Sequence, residues 1–331
     1  MLALDARLGL NGYFSPQARR LVCLAGVSWP FGKAQDHLHE FSGLRVSAEA
    51  IRQASHGEAV TLAAWRAEAA EAMADFQAAS RDIEFQTDAG KVNTTAGWKN
   101  VKIGIFAKRP RGLPTAPEHW ATRDLPQTTC RYAFAAIETS GLFGARWGVT
   151  ARRLGIKTTR NVHVLGDGAE WIWNEAAKEL PWATGTLDVF HGVEHVADAA
   201  KALWGEGSAA AAAWTEAGRL AMLRDGWWGL CEHLGQTVEQ PPPTEPPAAV
   251  QAAVDGLTTY FAKQQDHLDY CLRLRNGQSI GSGLVEGACK NTIGKRLKQT
   301  GARWDADRVN RMAELCCAVY SDNWRRYWER N

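Results

Sequence analysis

The chain has 331 residues, enough for a well-buried core and, at about 150 residues per domain, for two or three domains. Hydrophobic residues make up 45% and charged residues 22%, with only 12 prolines, which excludes a disordered, collagenous or low-complexity chain. The 38 Lys and Arg against 36 Asp and Glu leave a net charge of +2, which excludes a uniformly basic polypeptide but permits a local phosphate-binding groove.

Seven cysteines, at 23, 130, 231, 271, 289, 316 and 317, form an odd set without a Cys-x-x-Cys pair. With no signal sequence ahead of them, a reducing cytoplasm is the expected compartment. Apolar stretches are interrupted by Gly, Arg or Asp well short of the roughly 18 residues of a membrane span, so no membrane partner is expected. The 15 Trp, from Trp29 to Trp328, point to several aromatic-anchored cores or surfaces.

In chain order, residues 13–56 read as two or three short helices, with Ser15-Pro16 as N-cap and first helical position and Ser47 as a second cap. The segments KAQDHLHEFSG and LRVSAEAIRQ fit either a DNA-reading helix-turn-helix or a packing or dimerisation pair. A helix is expected from Leu62 to about Ala79, followed by a strand DIEFQTD, a break at Ala89-Gly90 and a second strand WKNVKIGIF. CRYAFAAIE fits strand or helix equally well. NVHVLGDGAEWIWNEAAKEL reads as strand, tight turn and helix, and ATGTLDVFHGVEHVADAAKALW repeats that order, so the centre is α/β. Residues 196–236 are helical in pattern, and VEQPPPTEPP parts them from a further helix. After NGQSIGSG come a helix bearing LVEGACKNTIGKRLKQTG and a closing amphipathic run, DADRVNRMAELCCAVYSDNWRRYWER.

Three carboxylates fall at element ends. Asp88 follows the alternation Ile83, Phe85, Thr87 and so ends the first strand, facing a cleft or serving as a turn residue before Ala89-Gly90. Asp167 follows the next strand with Gly168 behind it, again as a site acid or a structural Asp-Gly turn. Glu286 lies just inside a helix begun by two glycines. Together they offer the hard oxygen ligands that a pair of divalent ions needs for in-line displacement at phosphorus. Lys290, Lys295, Arg296, Lys298 and Arg303 follow with no acid among them, as a phosphate-holding surface or an ordinary solvated face.

In LDVFHGVEH, His191 and His195 are four apart and can share a helix face, with Asp188 one turn ahead. A zinc hydrolase built on Asp188, His191 and His195 is chemically conceivable, but the His-Glu-x-x-His pattern is absent. The favoured role of His191 is a hydrogen bond bracing the loop beneath the site, with His195 packed or on the surface. No Walker A sequence, G-x-G-x-x-G fingerprint or G-x-S-x-G elbow is present, so nucleotide-hydrolysing, nicotinamide-dependent and ordinary serine-hydrolase chemistry lack their anchors.

Taken together, the chain resembles a DDE transposase of a bacterial insertion sequence, of the ISKra-type group related to Mutator-like elements. The resemblance covers most of the chain and rests on QTDAG with WKNVKIGIF, on LGDGAEWIWN, on LDVFHGVEH and above all on GSGLVEGACKNTIGKRLKQTGARW, in that order. It implies an α/β fold whose ribonuclease-H-like mixed-sheet core is interrupted by an all-helical insertion and preceded by an N-terminal helical region. Residues 1–80 would form that region, with a possible role in DNA binding; 81–196 the first part of the core; 197–275 the insertion; and 276–331 the C-terminal helical part of the core.

The resemblance further implies Asp88, Asp167 and Glu286 as catalytic acids and ligands of two Mg²⁺ ions, with Mn²⁺ as a substitute. Asp188 and His191 match the family's Asp/Cys-x-x-His feature in support, and Lys290, Lys295, Arg296, Lys298 and Arg303 would hold DNA. Trp227 and Trp228, in the insertion, are weaker candidates for DNA contact. The implied activity is metal-dependent cleavage and strand transfer at insertion-sequence ends. Double-stranded DNA, as terminal inverted repeats and as target, and a second copy of the chain, in a homodimer or higher homo-oligomer, are the implied partners, in the bacterial cytoplasm at the nucleoid. Members commonly carry a longer front than LDARLGLNGYFSP allows, so the alternatives are a truncated, inactive DNA-binding remnant or a related structure-specific nuclease.

Overall fold

A computed structural model of the chain describes residues 14–157, 162–242, 246–321 and 323–330. Among the described residues three helices come first, α1 (Pro16–Ser28), α2 (Phe31–Ser42) and α3 (Ala48–Glu68). Both expected caps form: the hydroxyl of Ser15 accepts from the Ala18 N–H at 3.3 Å, and that of Ser47 accepts from Ala50 N–H at 3.2 Å. Gly43, in the left-handed region at φ 69°, ends α2. The two helices expected over 48–79 are one long helix to Glu68, followed by short helical turns to Ala78.

Strands β1 (Asp82–Thr94) and β2 (Gly97–Arg109) make a hairpin. The expected break at Ala89-Gly90 does not occur, because Ala89 and Gly90 pair with Lys102 and Val101 and the strand runs on. The turn falls at Thr95-Ala96, where Gly97 at φ 86° supplies the reversal. Gly90 has a packing reason instead: a Cβ there would lie 3.1 Å from Cγ2 of Ile293. CRYAFAAIE resolves as β3 (Cys130–Ala136), followed by α4 (Ser140–Arg153), β4 (Val162–Gly166), α5 (Glu170–Glu179) and β5 (Thr184–Leu187).

The described residues form one five-stranded sheet in the order β3-β2-β1-β4-β5. β1, β2 and β3 are antiparallel neighbours, whereas β4 runs parallel to β1 and β5 parallel to β4. Strand periodicity divides its side chains between two cores. Ile103, Ile105, Ala133 and Ala135 join the first three helices and the C-terminal helices, while Phe85, Phe106, Phe134 and Val164 join Phe143 and Trp147 of α4 and Ile172 of α5. The result is a three-layer α/β/α unit.

Among the described residues, between β5 and the next part of that unit, lie α6 (Val189–Trp204), α7 (Ala209–Glu239, kinked at Gly226), α8 (Pro247–Ala262) and α9 (Tyr270–Arg275). They close around their own apolar cluster, which includes Val196, Leu230, Val254 and Phe261. The expected proline-rich break separates α7 from α8; residues 243–245 within it lie outside the described residues, as do residues 1–13 at the front. The chain returns through α10 (Gly283–Ala288), a π-helical segment Cys289–Gly294 and a turn Lys295–Leu297, and ends in α11 (Ala306–Tyr320) and α12 (Asn323–Glu329). Among the described residues no helix is long and apolar enough to cross a membrane.

Candidate active site

β1 and β4 place two of the three acids. Their register pairs Ile83 with Val162 and runs to Gln86 with Leu165; carried two residues further, it sets Asp88 across from Asp167. Neighbouring strands lie about 4.8 Å apart, so the end of β4 brings Asp167 to the neighbourhood of Asp88, which feels its charge. Asp88 is therefore not at the end of its own strand, because β2 pairs with β1 well beyond it. It stands at the point where β4 stops, which opens that side of β1.

On the same face of β1, Glu84 is paired with Arg109 at 2.9 Å and Gln86 is fully buried. The Gln86 Oε1 accepts from the Val285 N–H at 3.1 Å, which docks α10 beside Asp88. Asp88 Oδ1 accepts from the N–H of Ala89 at 2.6 Å, and Cys289 Sγ donates to Asp88 Oδ2 at 3.6 Å. Burial pushes the Asp88 carboxyl above its ordinary value; the Ala89 N–H opposes that rise, and the negative fields of Asp167 and Glu286 add to it. The three acids thus share one electrostatic neighbourhood.

Glu286 is half-exposed, and its Oε2 is paired with Lys290 at 3.4 Å, one helical turn on. Asp167 Oδ1 caps the following turn by accepting from the Ala169 N–H at 3.0 Å. Among the described residues, no group of three or more His, Cys, Asp or Glu is arranged to hold a metal ion as it stands. The donor set of Asp88 and Asp167 nevertheless suits a hard divalent cation, being carboxylate oxygens whose mutual repulsion adds to the effect of burial on Asp88.

Asp188 and His191 separate in role. Asp188 is 2% exposed and follows β5 as the N-cap of α6, its Oδ1 accepting from the N–H groups of Phe190 at 2.7 Å and His191 at 3.2 Å. Its Oδ2 accepts from the Ser282 N–H at 2.5 Å and from the Ser282 hydroxyl. Both oxygens are thus committed to joining the start of α6 to the start of α10, which leaves no lone pair directed at a trio with His191 and His195. The His191 Nδ1 faces Glu194 at 3.5 Å, and its ring meets that of His195 edge-on at 5.0 Å.

Lys290, Lys295, Lys298 and Arg303 are exposed. Arg296 is not part of that surface: it is 2% exposed, donates from Nε to the Gly26 carbonyl at 2.6 Å and lies over the rings of Phe31 and Trp304. Helical spacing explains the difference, since the residue between two exposed lysines at this point turns toward α1. Trp228 is 78% exposed, whereas Trp227 packs against the insertion's core.

Three neighbours of the acids were not among the expected site residues. Cys289 was legible in principle, because it follows Glu286 by three on a helix. Gln86 precedes Asp88 by two on one strand face. Tyr260 on α8 left no local signal: its hydroxyl reaches the loop after Asp167 only through the folding of the insertion, where a Cβ at Gly168 would lie 2.7 Å from it. The carbonyl of Gly168 accepts from Gln264 Nε2 at 3.0 Å, so α8 and the residues after it grip the Asp167-Gly168 turn.

No protein-family model matches the chain, and no curated protein matches it either.

Proposed function

We propose that the chain is a DDE-type DNA transposase with a ribonuclease-H-like core, which cuts DNA at insertion-sequence ends and joins the freed end to a target. The observation that carries this reading is that Asp88 feels the negative fields of both Asp167, just beyond the end of the β1–β4 pairing, and Glu286, whose helix is docked through Gln86. The strand order β3-β2-β1-β4-β5, with three antiparallel strands followed by two parallel ones and with helices inserted before the Glu286 helix, supports it.

Asp88, Asp167 and Glu286 would hold two Mg²⁺ ions, which supply charge stabilisation to the phosphoryl oxygens and sharpen the attacking oxygen. Glu286, now paired with Lys290, would complete this set, and Lys290 with Lys295, Lys298 and Arg303 would face DNA phosphates. Arg296 serves this surface from below by fixing the segment to α1. In the first step, water attacks the phosphorus and the bond to the 3′ oxygen breaks, leaving a 3′-hydroxyl. In the second, that hydroxyl attacks a target phosphate and displaces the target's own 3′ oxygen. Joining two ends at one target calls for two copies of the chain.

The test incubates DNA carrying the flanking terminal repeats with Mg²⁺ or Mn²⁺ and either the parent chain or Glu286→Gln. We expect cleaved and joined products from the parent and only background from the variant, whose half-exposed substitution leaves the melting temperature within a degree or two. Undiminished activity of Glu286→Gln overturns the assignment. Cleaved products without joined ones replace strand transfer with a structure-specific nuclease.

A further inference from the structure

α8 belongs to the helical insertion, yet Tyr260 reaches out of it toward the acids. The hydroxyl of Tyr260 is buried and has no hydrogen-bond partner among the described residues. A buried phenol hydroxyl gains from a hydrogen-bond acceptor, so a state that brings one within reach is favoured. Its surroundings restrict what that partner is. The hydroxyl presses on Gly168, whose φ of 85° and missing side chain make room for it, directly after Asp167. The ring is held by His195 of α6, the two rings 3.8 Å apart, and by Phe261 edge-on at 5.0 Å. Gln264 fixes the same turn through the Gly168 carbonyl. On Asp167, Oδ1 is taken by Ala169, while Oδ2 has no partner among the described residues.

We propose that Tyr260 is a positioning residue: its hydroxyl donates to the Asp167 carboxylate when that carboxylate turns to bind a divalent cation, and so presets the ligand from the insertion. This rests on the reading of Asp167 as a metal ligand given above. An outer donor of this kind fixes the ligand's rotamer and typically changes metal affinity by about 10–100-fold when removed. It would also make the insertion part of the metal centre, since neither α6, which holds the ring through His195, nor α8, which bears it, belongs to the sheet.

The experiment compares the parent, Tyr260→Phe and Asp167→Asn as full chains, using Mn²⁺ alone as the probe. Free Mn²⁺ is read by electron paramagnetic resonance, and melting temperatures are taken with and without the ion. Tyr260→Phe removes one oxygen and keeps the ring on His195, so the metal-free variant melts at or above the parent, because an unpaired buried hydroxyl is gone. Its Mn²⁺ affinity falls about tenfold, and the rise in melting temperature on adding Mn²⁺ shrinks accordingly. A Tyr260→Phe chain that melts lower without metal overturns the inference by showing that the hydroxyl already has a structural partner. Parent-like Mn²⁺ affinity in Tyr260→Phe, with binding lost in Asp167→Asn, overturns the role of Tyr260 and leaves the acid site standing. Binding that is absent in the parent, or unchanged in Asp167→Asn, overturns the acid site and the inference with it.

Discussion

A carboxylate's role in this protein is set by what already occupies its lone pairs. Asp188 gives all of its accepting capacity to backbone and hydroxyl donors on two helix starts, while Asp88 meets one backbone N–H and a weakly donating thiol. Asp188→Ala should therefore act as a stability mutation, leaving an α6 N-terminus and a buried Ser282 N–H without an acceptor, at a cost of about 2–3 kcal/mol. Denaturant unfolding measures this, and a loss under 0.5 kcal/mol would contradict the joining role. In the sequence, Asp88, Asp167 and Asp188 look alike: each is an Asp near the end of a strand. Only the register of β1 with β4 and the arrival of Ser282 from a distant segment tell them apart, and neither leaves a trace in local spacing.

Among the elements, those whose signals are local were legible. Ser15 and Ser47 announce their helices, and β4, α5 and β5 follow the strand-turn-helix pattern. The hairpin was misplaced because Ala89-Gly90 carries the usual turn signature, whereas its glycine serves close packing by Ile293. Arg66 at the end of α3 illustrates a link that no pattern reveals: it donates to the Ala133 carbonyl of β3 and to Asn323 of α12, and pairs with Glu314 of α11 at 2.6 Å. Arg66 is 2% exposed, so Arg66→Ala leaves a largely buried Glu314 and a strand carbonyl unpaired, with an expected loss of about 3–5 kcal/mol. A thermal melt of that variant is the check, and a parent-like transition would refute the coupling.

For the molecule as a whole, acid is the condition to which the fold responds most directly. Burial lowers His56 to about 4, with Arg52, Arg308, Arg311 and Arg296 adding to the effect; burial also lowers His163 to about 4, with Arg273 and Arg111 adding and Asp82 opposing. Both fall below the ordinary value of 6.5, so the unfolded chain binds protons first as pH drops. Their contribution to stability is full above pH 6.5 and is lost as pH falls toward about 4. Neither ring nitrogen of His56 has a partner among the described residues, so His56→Leu should be neutral or stabilising at pH 7 and should flatten the acid limb. Midpoints of denaturant unfolding between pH 7 and pH 4 give the comparison, and parallel curves for the two chains would refute it.

The first core joins Cys23 and Val27 from early in the chain and Val309, Trp324 and Tyr327 from late in it to the sheet residues Ile103 and Ile105. A ribosome delivers these pieces far apart in time. At the usual pace of synthesis, the stretch from Asp88 to Glu286, on the order of 200 residues, takes roughly 10–40 s to emerge. Throughout that interval the face of the sheet that bears Ile103 and Ile105 has α1 and α3 to pack against but lacks Val309, Trp324 and Tyr327, which complete that core. The nascent chain therefore passes through a stage in which this core is half built, from α1, α3 and the sheet, and is closed only when α11 and α12 arrive.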